Sequence, residues 1–269
     1  MSEGYRWYHS VNPDWIKARR EVFTATELRS LIPAYKRWLK KNDPDAIDPD
    51  FCALIAEKLS ITGGYDTNTF SWAARGHIME PYAVKEFSHV ERLLFYHWDD
   101  CIIMDKERHV GFSPDAMTIS QSDWKVAKVP AHILENTYKS TVQSILEIKS
   151  YAPAKHMKAI FSDPKDLDER YQIAVAMLVC DFIEQGFLMF YNPTLNIGHG
   201  ISGSICIHCY TRSDLEEEIK LMDDILQLAV KHIDYVLERC KLQCDESMFT
   251  EDEIYQEFVA EETNIDVIK

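Results

Sequence analysis

Apolar residues recur along the chain with two different spacings, one typical of helices and one typical of strands. Helical spacing predicts three long helices, over residues 71–90, 166–186 and 213–243. We expect Pro81 to break the first, Gly186 to end the second and Ser213 to cap the third. Alternating or short apolar runs predict strands, over residues 101–105, 110–119, 144–151, 187–192 and 203–211. The first two strands are expected to form a hairpin.

The order of these elements predicts an α/β fold with a central mixed β-sheet flanked by helices. A further helix is expected over 24–32, where Thr24 or Thr26 can cap the first turn. We divide the chain into a domain over 1–212 and an acidic C-terminal helical extension over 213–269. The extension is expected to pack on the core or on a neighbouring subunit.

Composition is that of an ordinary globular protein. The chain has 269 residues, of which 46% are hydrophobic and 27% are charged. No segment approaches the roughly 20 apolar residues that cross a bilayer, and the first residues do not resemble a signal peptide. The seven scattered cysteines favour reduced thiols over a disulfide framework. The sequence therefore predicts an intracellular, cytoplasmic protein with no membrane segment.

The net charge of −15 at first argues against a polyanionic partner. However, residues 214–269 contain 17 acidic and 5 basic side chains, a net charge of −12. Residues 1–213 are left with a net charge of only −3 and contain basic clusters such as "KARR" (17–20) and "YKRWLKK" (35–41). The charge of the whole chain therefore does not exclude a nucleic acid as substrate.

Three charged residues in apolar surroundings form the candidate catalytic group. Asp115 lies in "GFSPDAM" (111–117), and Glu147 and Lys149 lie in "LEIKS" (146–150). On neighbouring strands the two carboxylates would converge, and Mg²⁺ would offset their repulsion because it prefers oxygen ligands. Strand alternation puts Lys149 on the same face as Glu147, where it can orient or deprotonate a water. Either short pattern alone is common, so the prediction depends on the combination.

The motif "PD" (114–115) followed along the chain by "EIK" (147–149) resembles the signature of the PD-(D/E)-x-K nuclease superfamily. More narrowly, the chain resembles the lambda-type viral exonucleases, also called the YqaJ-like viral recombinase family. Besides the two stretches quoted above, three more carry the resemblance, "RREVFTATEL" (19–28), "WAARGHIMEPYA" (72–83) and "ERYQIAVAML" (169–178). All of them occur in the order found in the family. The resemblance implies a restriction-endonuclease-like core.

The resemblance also implies a role for each matching residue near the metal. Asp115, Glu147 and the backbone carbonyl of Ile148 would bind the catalytic ion, and Lys149 would position the attacking water. Glu80 would complete the acidic site and assist with a second ion. The expected cofactor is Mg²⁺, for which Mn²⁺ can substitute.

A second set of matching residues is implied to bind the substrate. Arg19, Thr26, Ser113 and Gln172 fall where the family forms a pocket for the 5′ phosphate of a DNA end. Arg75, in the Arg-Gly pair that precedes Glu80, is also implied to bind the substrate. An arginine fork with hydroxyl and amide donors suits a terminal phosphate chemically.

As a whole, the resemblance implies a metal-dependent 5′→3′ exonuclease that acts on ends of double-stranded DNA and leaves single strands for recombination. A ring-shaped homotrimer and a single-strand annealing protein as partner are also implied. Two alternatives stay open: a structure- or sequence-specific endonuclease of the same fold, and a non-catalytic DNA-binding or interaction protein. Digestion of linear and of circular DNA separates the first two.

The chain departs from the family pattern between its two acidic motifs. Glu147 follows Asp115 by 32 residues, which implies an insertion over 120–143 and leaves Glu135 as an alternative ligand. We favour Glu147 because a lysine accompanies it on the same strand face. The Cys-x2-Cys pair in "CIHC" (206–209) has zinc-like spacing, but on a strand the two cysteines would point to opposite faces.

Overall fold

A computed structural model of the chain describes residues 19–41, 43, 46–59, 72–98, 102–119, 143–195 and 204–241. In these ranges the α-helices are α1 (Ala25–Ser30), α2 (Ile32–Lys41), α3 (Pro49–Leu59), α4 (Trp72–Glu91), α5 (Pro153–Phe161), α6 (Arg170–Val179) and α7 (Glu216–Lys241). The strands are β1 (Phe23–Thr24), β2 (Tyr96–His97), β3 (Ile103–Asp105), β4 (Val110–Phe112), β5 (Ala116–Met117), β6 (Gln143–Lys149), β7 (Ile183–Tyr191) and β8 (Ile205–Thr211).

Strands β6 and β7 form the centre of the larger sheet, whose order is β2-β5-β6-β7-β8. They run parallel to each other, whereas the other neighbours in this sheet are antiparallel. Helices cover both faces: Leu146 shares a core cluster with Phe87 of α4, and Ile145 shares another with Ile173 of α6. This arrangement confirms the predicted α/β fold, a mixed sheet flanked by helices.

A smaller sheet has the order β1-β4-β3. The predicted hairpin is confirmed, because β3 and β4 are antiparallel and connected by a turn over residues 106–109. The single strand predicted over 110–119 is wrong: β4 ends at Phe112, and β5 begins at Ala116 in the other sheet. Pro114 lies between them and has no N–H to donate to a strand ladder, so regular pairing ends there.

Two expectations about helix ends are also wrong. Helix α4 continues through Pro81, and its residues Ala83, Val84 and Phe87 are buried in the core. This packing outweighs the backbone hydrogen bond that a proline removes. Ser213 does not cap α7 but begins a short 3₁₀ turn, Ser213–Leu215, that precedes it.

Gly186 does not end a helix either. Helix α6 already ends at Val179, and β7 begins at Ile183, so Gly186 lies inside a strand. A Cβ atom at this position would lie 2.1 Å from Cγ2 of Ile173. The glycine therefore allows a close approach between β7 and α6.

Helix α7 packs against α6 and completes the core on that side of the larger sheet. Met222, Ile225 and Ala229 belong to the same buried cluster as Ile173. The division into 1–212 and 213–269 stays a prediction, and residues 242–269 lie outside the described part of the chain. No helix among the described residues is both long and apolar enough to cross a membrane.

Candidate active site

Asp115 and Glu147 face each other where β5 begins. In the antiparallel pair of β5 and β6, Ala116 is the partner of Leu146, so the preceding Asp115 comes opposite Glu147. Oδ2 of Asp115 accepts the backbone N–H of Ile148 at 2.6 Å. The glutamate is buried, with 6% of its surface exposed. The two carboxylates therefore lie together, as the sequence predicted.

Lys149 lies on the same face of β6 as Glu147, and its ammonium donates a hydrogen bond to Oε1 of that carboxylate. Burial alone would lower the pKa of Lys149, but the negative charges of Glu147 and Asp115 outweigh burial and raise it. Lys149 is therefore a cation in this arrangement.

Glu80 projects from α4 towards the same group and is held by two histidines. Its carboxylate lies 3.2 Å from Nδ1 of His77 and 3.6 Å from Nε2 of His97. Burial by itself would raise the pKa of Glu80, but the nearby imidazoles of His77 and His97 lower it to about 2. Glu80 therefore contributes a negative charge near the two strand carboxylates.

The pKa of Asp115 shows how much negative charge gathers here. Burial raises it well above the usual value, and the charges of Glu147 and Glu80 raise it further. Lys149 and the N–H of Ile148 oppose these effects but do not overcome them. The cluster thus combines an excess of negative charge with oxygen donors, the conditions that suit a hard divalent cation.

The metal itself stays a prediction. Within the described ranges, no three His, Cys, Asp or Glu side chains already form a group that could hold a metal ion. In this arrangement Glu147 is paired with Lys149, and Glu80 lies against His77. Binding an ion would require these carboxylates to turn towards it, with the carbonyl of Ile148 as a further oxygen donor.

The four residues expected to bind a terminal phosphate line one cavity of about 40 Å³, together with Glu147. They come from three separate parts of the chain, and they are Arg19, Thr26, Ser113 and Gln172. Nε2 of Gln172 donates to Oγ1 of Thr26 at 3.3 Å. The buried hydroxyl of Ser113 has no hydrogen-bond partner among the described residues, so it can serve a ligand in the cavity.

Lys58 supports this cavity, a role that was not predicted from the sequence. Its buried ammonium donates to the backbone carbonyls of Arg19 at 2.8 Å and Val22 at 2.6 Å. It also pairs with Glu27 at 2.8 Å, which in turn accepts the N–H of Thr24, the residue that caps α1. Lys58 thus ties the segment that carries Arg19 to the start of α1. Nothing near position 58 in the sequence signals this role.

Arg29 was also missed, although it lies three residues after Thr26 on the same short helix. Its Nη1 donates to Oε1 of Gln172 at 3.4 Å. Because residues three apart share a helix face, this spacing could have identified Arg29 as a neighbour of the cavity.

Three parts of the prediction lie outside the described part of the chain. They are the side chain of Arg75, residues 120–142 of the proposed insertion, and Glu135 within it. Cys206 and Cys209 are both described and lie on β8, three residues apart. This spacing directs them to opposite faces, as expected, and Sγ of Cys206 instead lies 3.3 Å from Nε2 of His208.

Known proteins share a domain and a fold with this chain. Residues 14–181, more than half of the chain, match the family described as the YqaJ-like viral recombinase domain. No curated protein matches the sequence. An alkaline exonuclease (LHK-Exo) from Laribacter hongkongensis is similar in structure, with 15% identity and a TM-score of 0.52 over 86% of this chain and 99% of that chain. The same exonuclease in complex with dAMP has 15% identity and a TM-score of 0.53 over the same shares.

At this identity the structural likeness shows a shared fold. The family match, over residues 14–181, contains all of the candidate residues from Arg19 to Gln172. The chain therefore belongs to the YqaJ-like viral recombinase family and has the fold of the lambda-type exonucleases.

Proposed function

We propose that the protein is a metal-dependent exonuclease that degrades one strand of double-stranded DNA from its 5′ end. Family membership supports the broader assignment, a nuclease that acts on DNA. The finer assignment depends on one observation: Glu147 belongs both to the carboxylate–lysine cluster and to the wall of the cavity that the candidate phosphate-binding residues line. A terminal phosphate in the cavity would lie one nucleotide or less from the carboxylate–lysine cluster.

The cavity offers the donors that a terminal phosphate requires. Arg19 can supply a charged fork, and Ser113 and Thr26 supply hydroxyls. A terminal phosphate carries more negative charge than an internal phosphodiester, so a lining with arginine, hydroxyl and amide donors suits a chain end better. This set of donors favours an enzyme that starts from chain ends.

Lys149 has a defined part in the reaction. One N–H of its ammonium is used by Glu147, and the others can orient the attacking water and offset the negative charge that develops on the phosphate. Asp115, Glu147 and the carbonyl of Ile148 would hold Mg²⁺ or Mn²⁺, with Glu80 assisting. When bound, the ion would stabilise charge on the attacking and leaving oxygens.

Digestion of the same DNA in linear and in covalently closed circular form tests the proposal. We expect nucleotide release only from the linear form, only with a divalent cation, and faster from 5′-phosphorylated than from 5′-hydroxyl ends. Equal cutting of the circle would instead favour an endonuclease, and no release at all would favour a non-catalytic DNA-binding protein.

Replacing Lys149 with methionine tests the residue assignment. We expect kcat to fall by about 10²- to 10⁴-fold while KM changes little, since the cavity remains intact. The matched control is Lys220→Met, which removes an exposed lysine paired with Asp224 on α7. Equal rates for wild type and Lys149→Met would refute the proposed catalytic group.

The homotrimer and the single-strand annealing partner are also proposals, supported by the family alone. Analytical ultracentrifugation of the purified chain measures the first directly. Co-purification with an annealing protein encoded alongside this chain measures the second.

A further inference from the structure

Arg29 occupies a position between the phosphate cavity and the catalytic group. It lies in the last turn of α1, three residues after the cavity residue Thr26. Its guanidinium contacts Gln172, which lines the cavity together with Glu147. Arg29 therefore adjoins the cavity wall without being part of it.

The guanidinium of Arg29 has little else to bind. Among the described residues its hydrogen bond is the long contact of 3.4 Å to the neutral amide of Gln172, and no Asp or Glu there forms an ion pair with it. Other half-buried arginines differ: Arg108 pairs with Asp223 at 2.5 Å, and Arg170 pairs with Glu218 at 2.9 Å. Arg29 is thus a partly buried cation that retains most of its donors.

Carboxylates near Arg29 are already engaged by other groups. The carboxylate of Glu169 accepts the hydroxyl of Tyr151 and lies 3.9 Å from Nζ of Lys155. Among the described residues Glu169 forms no ion pair with Arg29, so an anion that binds beside Gln172 would supply the missing counter-charge.

We propose that Arg29 binds a phosphate of the DNA strand that is cut, beside Gln172 at the cavity. A guanidinium can donate two parallel hydrogen bonds to phosphate oxygens. That phosphate is either the terminal 5′ phosphate or the next one along the strand, because both would lie near the cavity. The inference builds on the proposed function, which supplies DNA as the substrate.

Binding measurements in an inactive background test Arg29 separately from catalysis. Three proteins are compared, all of which carry Lys149→Met: one keeps Arg29, one has Arg29→Gln and one has Arg29→Lys. The Kd of each for a labelled duplex end is measured over a series of salt concentrations. Arg29→Gln is expected to raise the Kd by about 10- to 100-fold. It should also reduce the slope of log K against log salt by about 1. Arg29→Lys should keep the slope and recover part of the affinity.

The end group identifies which phosphate is bound. A larger loss on 5′-phosphorylated than on 5′-hydroxyl ends assigns Arg29 to the terminal phosphate, and an equal loss assigns it to the next phosphate. The matched control is Arg239→Gln, an exposed arginine of α7 that contacts Tyr235, and it should leave both the Kd and the slope unchanged.

The proposal is overturned if Arg29→Gln leaves the Kd within about twofold of its background, or weakens binding without changing the salt slope. Weaker binding with an unchanged salt slope and a lower melting temperature would indicate that Arg29 has a structural role. Failure of the proposed function gives a different result: the wild-type protein would release no nucleotides, whether or not Arg29 contributes to DNA binding.

Discussion

Replacing Gly186 with alanine tests how closely β7 packs on α6. A Cβ atom built at Gly186 lies 2.1 Å from Cγ2 and 3.3 Å from Cβ of Ile173. Ile173 is fully buried, so it has little room to move away. The backbone of Gly186 is not in the left-handed region, and the expected effect is therefore steric.

The size of the effect follows from the contact. A methyl group at 2.1 Å must move by more than 1 Å to reach an ordinary van der Waals distance, and overpacking of this kind typically costs about 1–3 kcal/mol. Alanine also restricts the unfolded chain, which offsets about 0.4–1 kcal/mol. The difference is a net loss of about 0–2.6 kcal/mol, and the short 2.1 Å contact with a fully buried side chain favours the upper part of that range, about 1–2.5 kcal/mol. This loss is equivalent to a decrease in Tm of about 2–10 °C.

Urea and thermal unfolding measure this loss against a matched control. Gly76→Ala introduces the same methyl group into α4, where no atom of another described segment lies within 4 Å of the new Cβ. It should stabilise the protein by about 0.5–1 kcal/mol. The two alanine substitutions are therefore expected to have opposite signs.

A double-mutant cycle with Ile173→Ala identifies the cause. Ile173→Ala alone should destabilise by about 2–5 kcal/mol because it opens a cavity, but Gly186→Ala should then add no further loss. The close-packing explanation is refuted if Gly186→Ala is as stable as wild type, or if it destabilises equally in the Ile173→Ala background.

Two further predictions concern a buried lysine and a buried histidine. Lys58→Met leaves the carbonyls of Arg19 and Val22 and the carboxylate of Glu27 without their cation. It should lower stability by about 2–4 kcal/mol in urea unfolding and reduce the kcat/KM preference for 5′-phosphorylated ends; an unchanged preference would contradict the role given to Lys58. Burial lowers the pKa of His232, so below about pH 6.5 the unfolded chain binds a proton that the folded chain does not. Stability should therefore fall from pH 7 to pH 5, and His232→Phe should reduce that slope; equal slopes would show that His232 does not contribute.

The candidate catalytic group could be predicted from the sequence because its geometry is largely local. Glu147 and Lys149 share a strand face through simple alternation. Asp115 lies beside a strand-like segment that can pair with the strand of Glu147 and Lys149. In the structure, β5, which directly follows Asp115, pairs with β6. The family motifs supplied the remaining pocket residues, and four of them meet in one cavity.

The wrong or missing predictions concern residues whose role depends on contacts with distant segments and not on their sequence neighbours. Pro81 suggested a break, yet α4 continues because its buried face is held against the sheet. Pro114 lies in a run read as one strand, but the chain changes sheets there. Arg29 and Lys58 were missed because their partners, Gln172 and the carbonyls near Arg19, belong to other segments.

The sequence by itself determined the family, the α/β class and the order of acid, acid and lysine, because these depend on residue type and short-range spacing. Tertiary structure alone decided that Gly186 serves a close contact with Ile173, and that Arg29 adjoins the cavity through Gln172. Such features depend on distances between segments that are far apart in the chain, and packing of the whole core sets those distances.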